Sequence, residues 1–351
     1  MSGRHLDVPG VVGDPIEGAA EKDQAAGPIA GLVDIHAHGA LGAEFGSSPE
    51  GSRRAAAHHA AEGTSRQIAS LVSATFETLA RQVRTLVPLI LDGTLAGIHC
   101  EGPFLAQARR GAHDPTLLRD PDPSWVSRLA EVASAAGCPG AVLQWTFAPE
   151  LDRAEPFVRA LSRHGILPAI GHTDASAAQV ERALGLVADI TGREPLVTHL
   201  FNAMPPLHHR HGGPAAVALS SAARGEAVVE LITDGTHVSS EVARMVFDSV
   251  GGGQIALVSD AMAATGLGDG DYLLGPLNVT VLGGTARLRE GGEMSERGAI
   301  AGSTATLAQC VRWAINVAGI DRTEVMRAAT TTPTRVLFAR PSPPISRAPT
   351  R

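Results

Sequence analysis

Residues 165–187 read GILPAIGHTDASAAQVERALGLV. Ile166–Gly171 is a short apolar run of strand character, His172-Thr173-Asp174 is a polar exit, and Ser176–Val187 carries helical spacing. His164-Gly165, just before, has the form of a helix C-terminus with its glycine cap. A strand leaving through polar residues into an amphipathic helix is a βα unit, and the pattern repeats in both directions. Strands are predicted at 31–36, 65–72, 94–100, 141–147, 166–171, 195–199, 227–233 and 254–259, with helices such as Ser124–Ala136, Pro156–His164 and Ser239–Val250 between them. Alternating strands and helices specify a parallel sheet, and eight units specify an α/β fold closed into a (β/α)8 TIM-type barrel.

The rhythm breaks after the eighth strand. Tyr272–Gly275 and Asn278–Val281 are apolar runs separated by Gly-rich turns, which predicts a small β excursion over 270–298. Ala301-Gly302-Ser303 then resembles a helix start capped by Ser303. The domain reading is a barrel over 29–340, flanked by tails at 1–28 and 341–351 that lack any strand or helix period.

A chain of 351 residues holds one barrel of roughly 250 residues with room to spare. A net charge of -7 argues against nucleic acid as a partner, because no basic surplus exists to neutralise phosphates. Three scattered cysteines, Cys100, Cys138 and Cys310, suggest free thiols in a reducing compartment. No signal-peptide pattern and no membrane span of roughly 18 apolar residues is evident, so the expected location is the cytoplasm.

Six polar motifs follow the apolar runs: His36-Ala37-His38, His99 to Phe104, Gly171 to Asp174, Thr198 to Asn202, Asp234 to His237, and Ser259-Asp260-Ala261. A single histidine at a strand end is ordinarily just hydrogen-bonded, but a series of them at exits that converge on one barrel face points to a metal centre. Glu101, His172 and His199 are the best ligand candidates; two imidazoles and a carboxylate leave an open position, as catalytic zinc requires. His36 and His38, two residues apart on a strand, point the same way and can reach a second cation near Glu101, or can simply hydrogen-bond within the site. Asp260 suits a proton acceptor beside activated water, or a further ligand. His113 and His237 are candidates for binding substrate or polarising a carbonyl. His58-His59 in an Ala-rich stretch reads as a solvated face. His208–His211 reads equally as an anion grip or a surface loop. Cys100, between His99 and Glu101, points to the opposite side of its strand and so into the core.

These motifs resemble the N-acetylglucosamine-6-phosphate deacetylases of the metal-dependent amidohydrolase superfamily. The similarity runs from about Gly31 to about Pro333. It is carried by HCEGPF at 99–104, RGAH at 110–113, THLFNAM at 198–204 and SDAM at 259–262. The resemblance implies a divalent metal, one or two ions per subunit, with zinc first and iron, cobalt or manganese as alternatives. It implies that Glu101, His172 and His199 hold the catalytic ion and that Asp260 acts as base and then as acid. His113 would help polarise the acetyl carbonyl and His237 would bind a sugar hydroxyl. Asn202 and the Ala203 backbone would meet the phosphate, with Arg210 supplied across a homodimer interface. The implied partner is a small N-acetylhexosamine phosphate, with no nucleic acid and no membrane.

Family members carry a small β-sandwich beside the barrel, which here is expected to be truncated, because neither end of the chain shows the strand pattern. Alternatives to N-acetylglucosamine 6-phosphate deacetylation are the galactosamine epimer, another amidohydrolase reaction, and a non-catalytic sugar-phosphate or metal-binding relative.

Overall fold

The computed structural model describes residues 29–338 apart from 291–292 and 295–297, so both expected tails lie outside the described residues. Eight strands form one parallel sheet in chain order: Leu32–Asp34 (β1), Thr64–Leu71 (β2), Gly97–Glu101 (β3), Val142–Phe147 (β4), Leu167–Ile170 (β5), Leu196–Val197 (β6), Val228–Leu231 (β7) and Ile255–Leu257 (β8). Closure between β8 and β1 is made past the strand ends. Ala37 and Ala261 form a parallel bridge there, and the Asp260 N–H donates to His36 O at 2.9 Å. The chain is a TIM-type barrel.

Helices Pro49–Ala61 (α1), Phe76–Leu91 (α2), Pro123–Ala135 (α3), Ala154–Arg163 (α4), Ala177–Thr191 (α5), Gly213–Ala223 (α6) and Ser240–Val250 (α7) connect successive strands. Leu307–Asn316 (α8), Arg322–Ala329 (α9) and Thr331–Phe338 (α10) follow the last one. The starts are written locally. Ser176 and Gln179 close a reciprocal capping box on α5, and Ser48, Thr75, Asp122 and Ser239 cap α1, α2, α3 and α7. Each such cap contributes about 1 kcal/mol.

Apolar side chains pack in two layers. Between strands and helices lie Leu71, Cys100, Trp145, Phe157 and Val180, with the Phe157 ring against Phe104, Trp145 and Phe147. Truncating Phe157 to alanine there would cost about 3–5 kcal/mol. A separate cluster of Val33, Ile35, Leu167, Leu196, Val228 and Val258 receives Val336 and Leu337 from α10. Cys100 belongs to the first layer, facing away from its neighbours His99 and Glu101.

Gly270–Leu274 (β9), Leu277–Leu282 (β10), Thr285–Glu290 (β11) and Glu293–Met294 (β12) form an antiparallel sheet. Its buried face, with Leu274, Val279, Val281 and Leu288, packs on Met262, Ala264 and Ala301 just beyond β8. That contact sets the sheet at the mouth of the barrel.

Two local expectations fail. Ser303 does not cap a helix: its backbone bridges Ala261, its carbonyl accepts the Met262 N–H at 2.9 Å, and α8 starts three residues later at Thr306, which has Gln309 as its capping-box partner. His59 is not solvated but fully buried, with Nε2 3.1 Å from Gly39 O. The Gly39–Ala40/Ala43–Glu44 hairpin covers α1 on that side, which an Ala-rich periodicity does not reveal.

Candidate active site

Glu101 ends β3, His172 stands two residues beyond β5, His199 two beyond β6 and Asp260 three beyond β8. All four are buried, and the carbonyl ends of their strands bring them to one point. Glu101 Oε1 lies 2.9 Å from His199 Nε2 and 3.1 Å from His172 Nε2, and the two imidazole nitrogens are 3.0 Å apart. Beside this triangle is a second one. His36 Nε2 is 3.3 Å from His38 Nε2 and 3.5 Å from Asp260 Oδ1, and His38 Nε2 is 3.2 Å from the same oxygen. Glu101 joins the two, its Oε1 3.5 Å from His36 Nε2 and its Oε2 3.3 Å from His38 Nε2.

Tetrahedral ligation of a zinc-sized ion at ~2.0 Å spaces its donors about 3.3 Å apart. Both triangles meet that spacing to within a few tenths of an ångström, and their donors are imidazole nitrogens and carboxylate oxygens. The residues present therefore fit a divalent metal. Glu101, His113 and His172 also bring donor atoms within 4.8 Å of one another. His199 is the better third donor, because His113 Nε2 faces the other carboxylate oxygen at 3.4 Å.

Hydrogen bonds on the far side of the His172 and His113 rings select their tautomers. His172 Nδ1 is 2.9 Å from Arg109 O, a carbonyl that only accepts, so the proton sits on Nδ1 and the Nε2 lone pair faces Glu101. His113 Nδ1 instead accepts the Ser73 N–H at 3.3 Å, which leaves Nε2–H aimed at Glu101. Burial pulls the His172 ring down to about 4 against the opposing pull of Glu101, which keeps it neutral, the form that ligates. For Glu101, burial is outweighed by His36, His113, His172 and His199, which hold its carboxyl well below the usual range. Asp260 is likewise held low by His36 and His38 despite burial. Burial of His38 is overcome by Asp260 and Glu101, which push it up to about 9. A cation bound by these rings has to displace their protons, so its affinity rises with pH.

Three of these residues have left-handed backbones, His172 at φ 48°, His199 at φ 27° and Asp260 at φ 51°, as do Phe201 and Ala203. Such a conformation costs a non-glycine residue of order 1–3 kcal/mol and persists only where packing enforces it. Glycine would relieve the strain and lose the ligand. Gly171, just before His172, is forced by space instead: a Cβ there would lie 2.7 Å from that of Thr198.

A cavity of about 400 Å³ opens onto the centre, bordered by Arg109, Asn202, Ala203 and His237 and, from the β9–β12 side, Leu274 and Ile300. His237 is fixed by Asp234, whose Oδ2 is 2.8 Å from Nδ1 and whose Oδ1 accepts the His237 N–H at 2.9 Å. The Asn202 amide donates to His199 O at 3.2 Å. Arg210 does not join them. It is exposed on the His208–His211 turn and does not border this cavity.

Sequence reading missed Glu230, Asp234 as the partner of His237, and the Arg109 carbonyl. Glu230 had a signal, since an ionisable residue inside the apolar run Val228–Leu231 has to be paired when buried. The Arg109 carbonyl had none, as a main-chain oxygen carries no residue identity.

No family model matches the chain. It is 34% identical over 271 residues to the N-acetylglucosamine-6-phosphate deacetylase of Bacillus subtilis, a match covering 75% of this chain and 65% of the relative. The Homo sapiens N-acetylglucosamine-6-phosphate deacetylase is 30% identical over 319 residues, covering 88% of this chain and 73% of the relative. Among solved structures, an aspartate-to-alanine variant of the Mycobacterium smegmatis N-acetyl-D-glucosamine-6-phosphate deacetylase in complex with N-acetyl-D-glucosamine-6-phosphate superposes with a TM-score of 0.78 at 38% identity, over 88% of this chain and 77% of the other. With this barrel, these histidines and carboxylates gathered at the strand exits and these relatives, the chain belongs to the N-acetylglucosamine-6-phosphate deacetylase family.

Proposed function

We propose that the protein hydrolyses the acetamido bond of N-acetylglucosamine 6-phosphate to acetate and glucosamine 6-phosphate. One observation supports this most: Glu101, His172 and His199, with His38 and Asp260 of the second triangle, border a single cavity of about 400 Å³, a volume in the range of small-ligand sites. Glu101, His172 and His199 would hold the catalytic divalent ion, and His36, His38 and Asp260 a second. Zinc suits this donor set first, with iron, cobalt or manganese as alternatives. A bound ion supplies Lewis acidity, polarising the acetyl carbonyl and acidifying water.

The remaining chemistry belongs to side chains. Asp260, ionised across neutral pH, takes a proton from the water whose oxygen bonds to the acetyl carbon. It returns that proton to the sugar nitrogen as the C–N bond breaks, so the amine leaves neutral. His113 presents Nε2–H toward the reacting carbonyl. His237, braced by Asp234, binds a sugar hydroxyl. Asn202 and the Ala203 backbone meet the phosphate. The exposed position of Arg210 supports its delivery to the cleft of a second copy in a homodimer, where a guanidinium fork matches a phosphate dianion. No helix among the described residues is long and apolar enough to cross a membrane. A cytoplasmic location would suit a doubly charged sugar phosphate, which does not cross a bilayer unaided.

Amine release from N-acetylglucosamine 6-phosphate, its galactosamine epimer and unphosphorylated N-acetylglucosamine tests the reading. The first is expected to be the best substrate. Release from none of them, by protein loaded with a divalent metal, would refute it.

A further inference from the structure

Glu230 lies inside β7 and is wholly buried, where a carboxylate is costly unless its oxygens are matched by donors. Its Oε1 accepts Gln144 Nε2–H at 2.9 Å. Its Oε2 lies 3.0 Å from His36 Nδ1 and accepts the backbone N–H of His199 at 3.1 Å. A single oxygen thus holds a ring of one donor triangle and the backbone of the other.

We propose that Glu230 is a positioning residue that makes His36, His38 and Asp260 a cation site and fixes its place beside the Glu101, His172 and His199 site. The proposal rests on the two-ion reading above. An imidazole can turn over about its χ2 bond, which puts a ring carbon in the place of each nitrogen. A carboxylate that takes Nδ1–H admits only the orientation that leaves Nε2 facing His38 and Asp260. The same oxygen restrains His199 at its strained φ of 27°, so the two triangles cannot drift apart independently. Gln144 cannot replace the charge, because its neutral amide offers Glu230 a single hydrogen bond.

Metal-free protein titrated with Co2+, followed by d–d absorption and total bound metal, tests this. Wild type is expected to take up two equivalents. Glu230→Gln keeps the shape and removes the charge; it is expected to weaken the second equivalent ~10–100-fold, to alter its absorption band, and to leave the first within about threefold. Glu230→Asp keeps the charge but withdraws it by one methylene, and is expected to weaken the same equivalent, so either variant suffices if the other does not fold. Second-equivalent binding at wild-type strength would overturn the proposal. So would weakening of both equivalents in step with a lowered Tm, or failure of both variants to fold, since each marks a purely structural role. A wild type that takes up one equivalent would refute the two-ion reading, and the positioning role with it.

Discussion

Glu101 and His199 stand 98 positions apart in sequence, and their side chains meet with Oε1 2.9 Å from Nε2. They leave β3 and β6, with two strands between them in the sheet, and closure of the barrel brings such residues together. If that contact is half of a cation site, His199→Ala should cost more than loss of an outer hydrogen-bond partner does. Cation affinity is expected to fall more than ~100-fold, above the range typical of outer-sphere changes. Equilibrium dialysis against a metal buffer measures it, and unchanged affinity would remove His199 from the site.

Asp260→Asn keeps size and hydrogen-bonding capacity but cannot take up a proton at neutral pH. Turnover is expected to drop more than ~100-fold on the scale of general-base effects, with the fold retained by circular dichroism. Near-normal turnover would place the proton acceptor elsewhere.

The exposed Arg210 gives a different signature. If its guanidinium meets only the phosphate, as proposed, Arg210→Ala is expected to raise KM for the phosphorylated sugar while scarcely altering any activity on the unphosphorylated one. Dilution of wild type to monomer should reproduce the defect. Equal losses on both sugars would mean that the turn is structural.

His59 links stability to pH. Burial pulls its ring down to about 4 from the ordinary histidine value of 6.5, against a smaller upward pull from Gly39 O. The unfolded chain therefore takes up the proton first as pH falls. Stability from this group is complete above pH 6.5 and declines until about pH 4, by about 3 kcal/mol in all. His59→Gln, which has no such proton to gain, should show a shallower loss of stability over that window in urea melts. Parallel curves would show that His59 is not the linked group.

The barrel was legible because each unit states itself locally, as an apolar run, a polar exit and a capped helix, with Ser176 and Gln179 as the clearest case. The ligand candidates were legible because histidine and carboxylate at successive exits have one meeting place in a closed barrel. Properties that depend on tertiary contact were not. His59 has the local sequence of a surface residue and is buried by a hairpin twenty positions away. Ser303 has the form of a cap, but its backbone is engaged with Ala261. The left-handed backbones of His172, His199 and Asp260 carry no glycine signal, because the side chain is needed more than the relief of strain. The position of Arg210 outside its own cleft was implied by the family resemblance and by nothing in the residues around it.

The most direct measurement is the fate of oxygen in H2 18O. Protein loaded with a divalent metal, given N-acetylglucosamine 6-phosphate, is expected to release acetate carrying one solvent oxygen and glucosamine 6-phosphate carrying none, with both lost in Asp260→Asn. Absence of labelled acetate from the loaded wild-type protein would contradict the account.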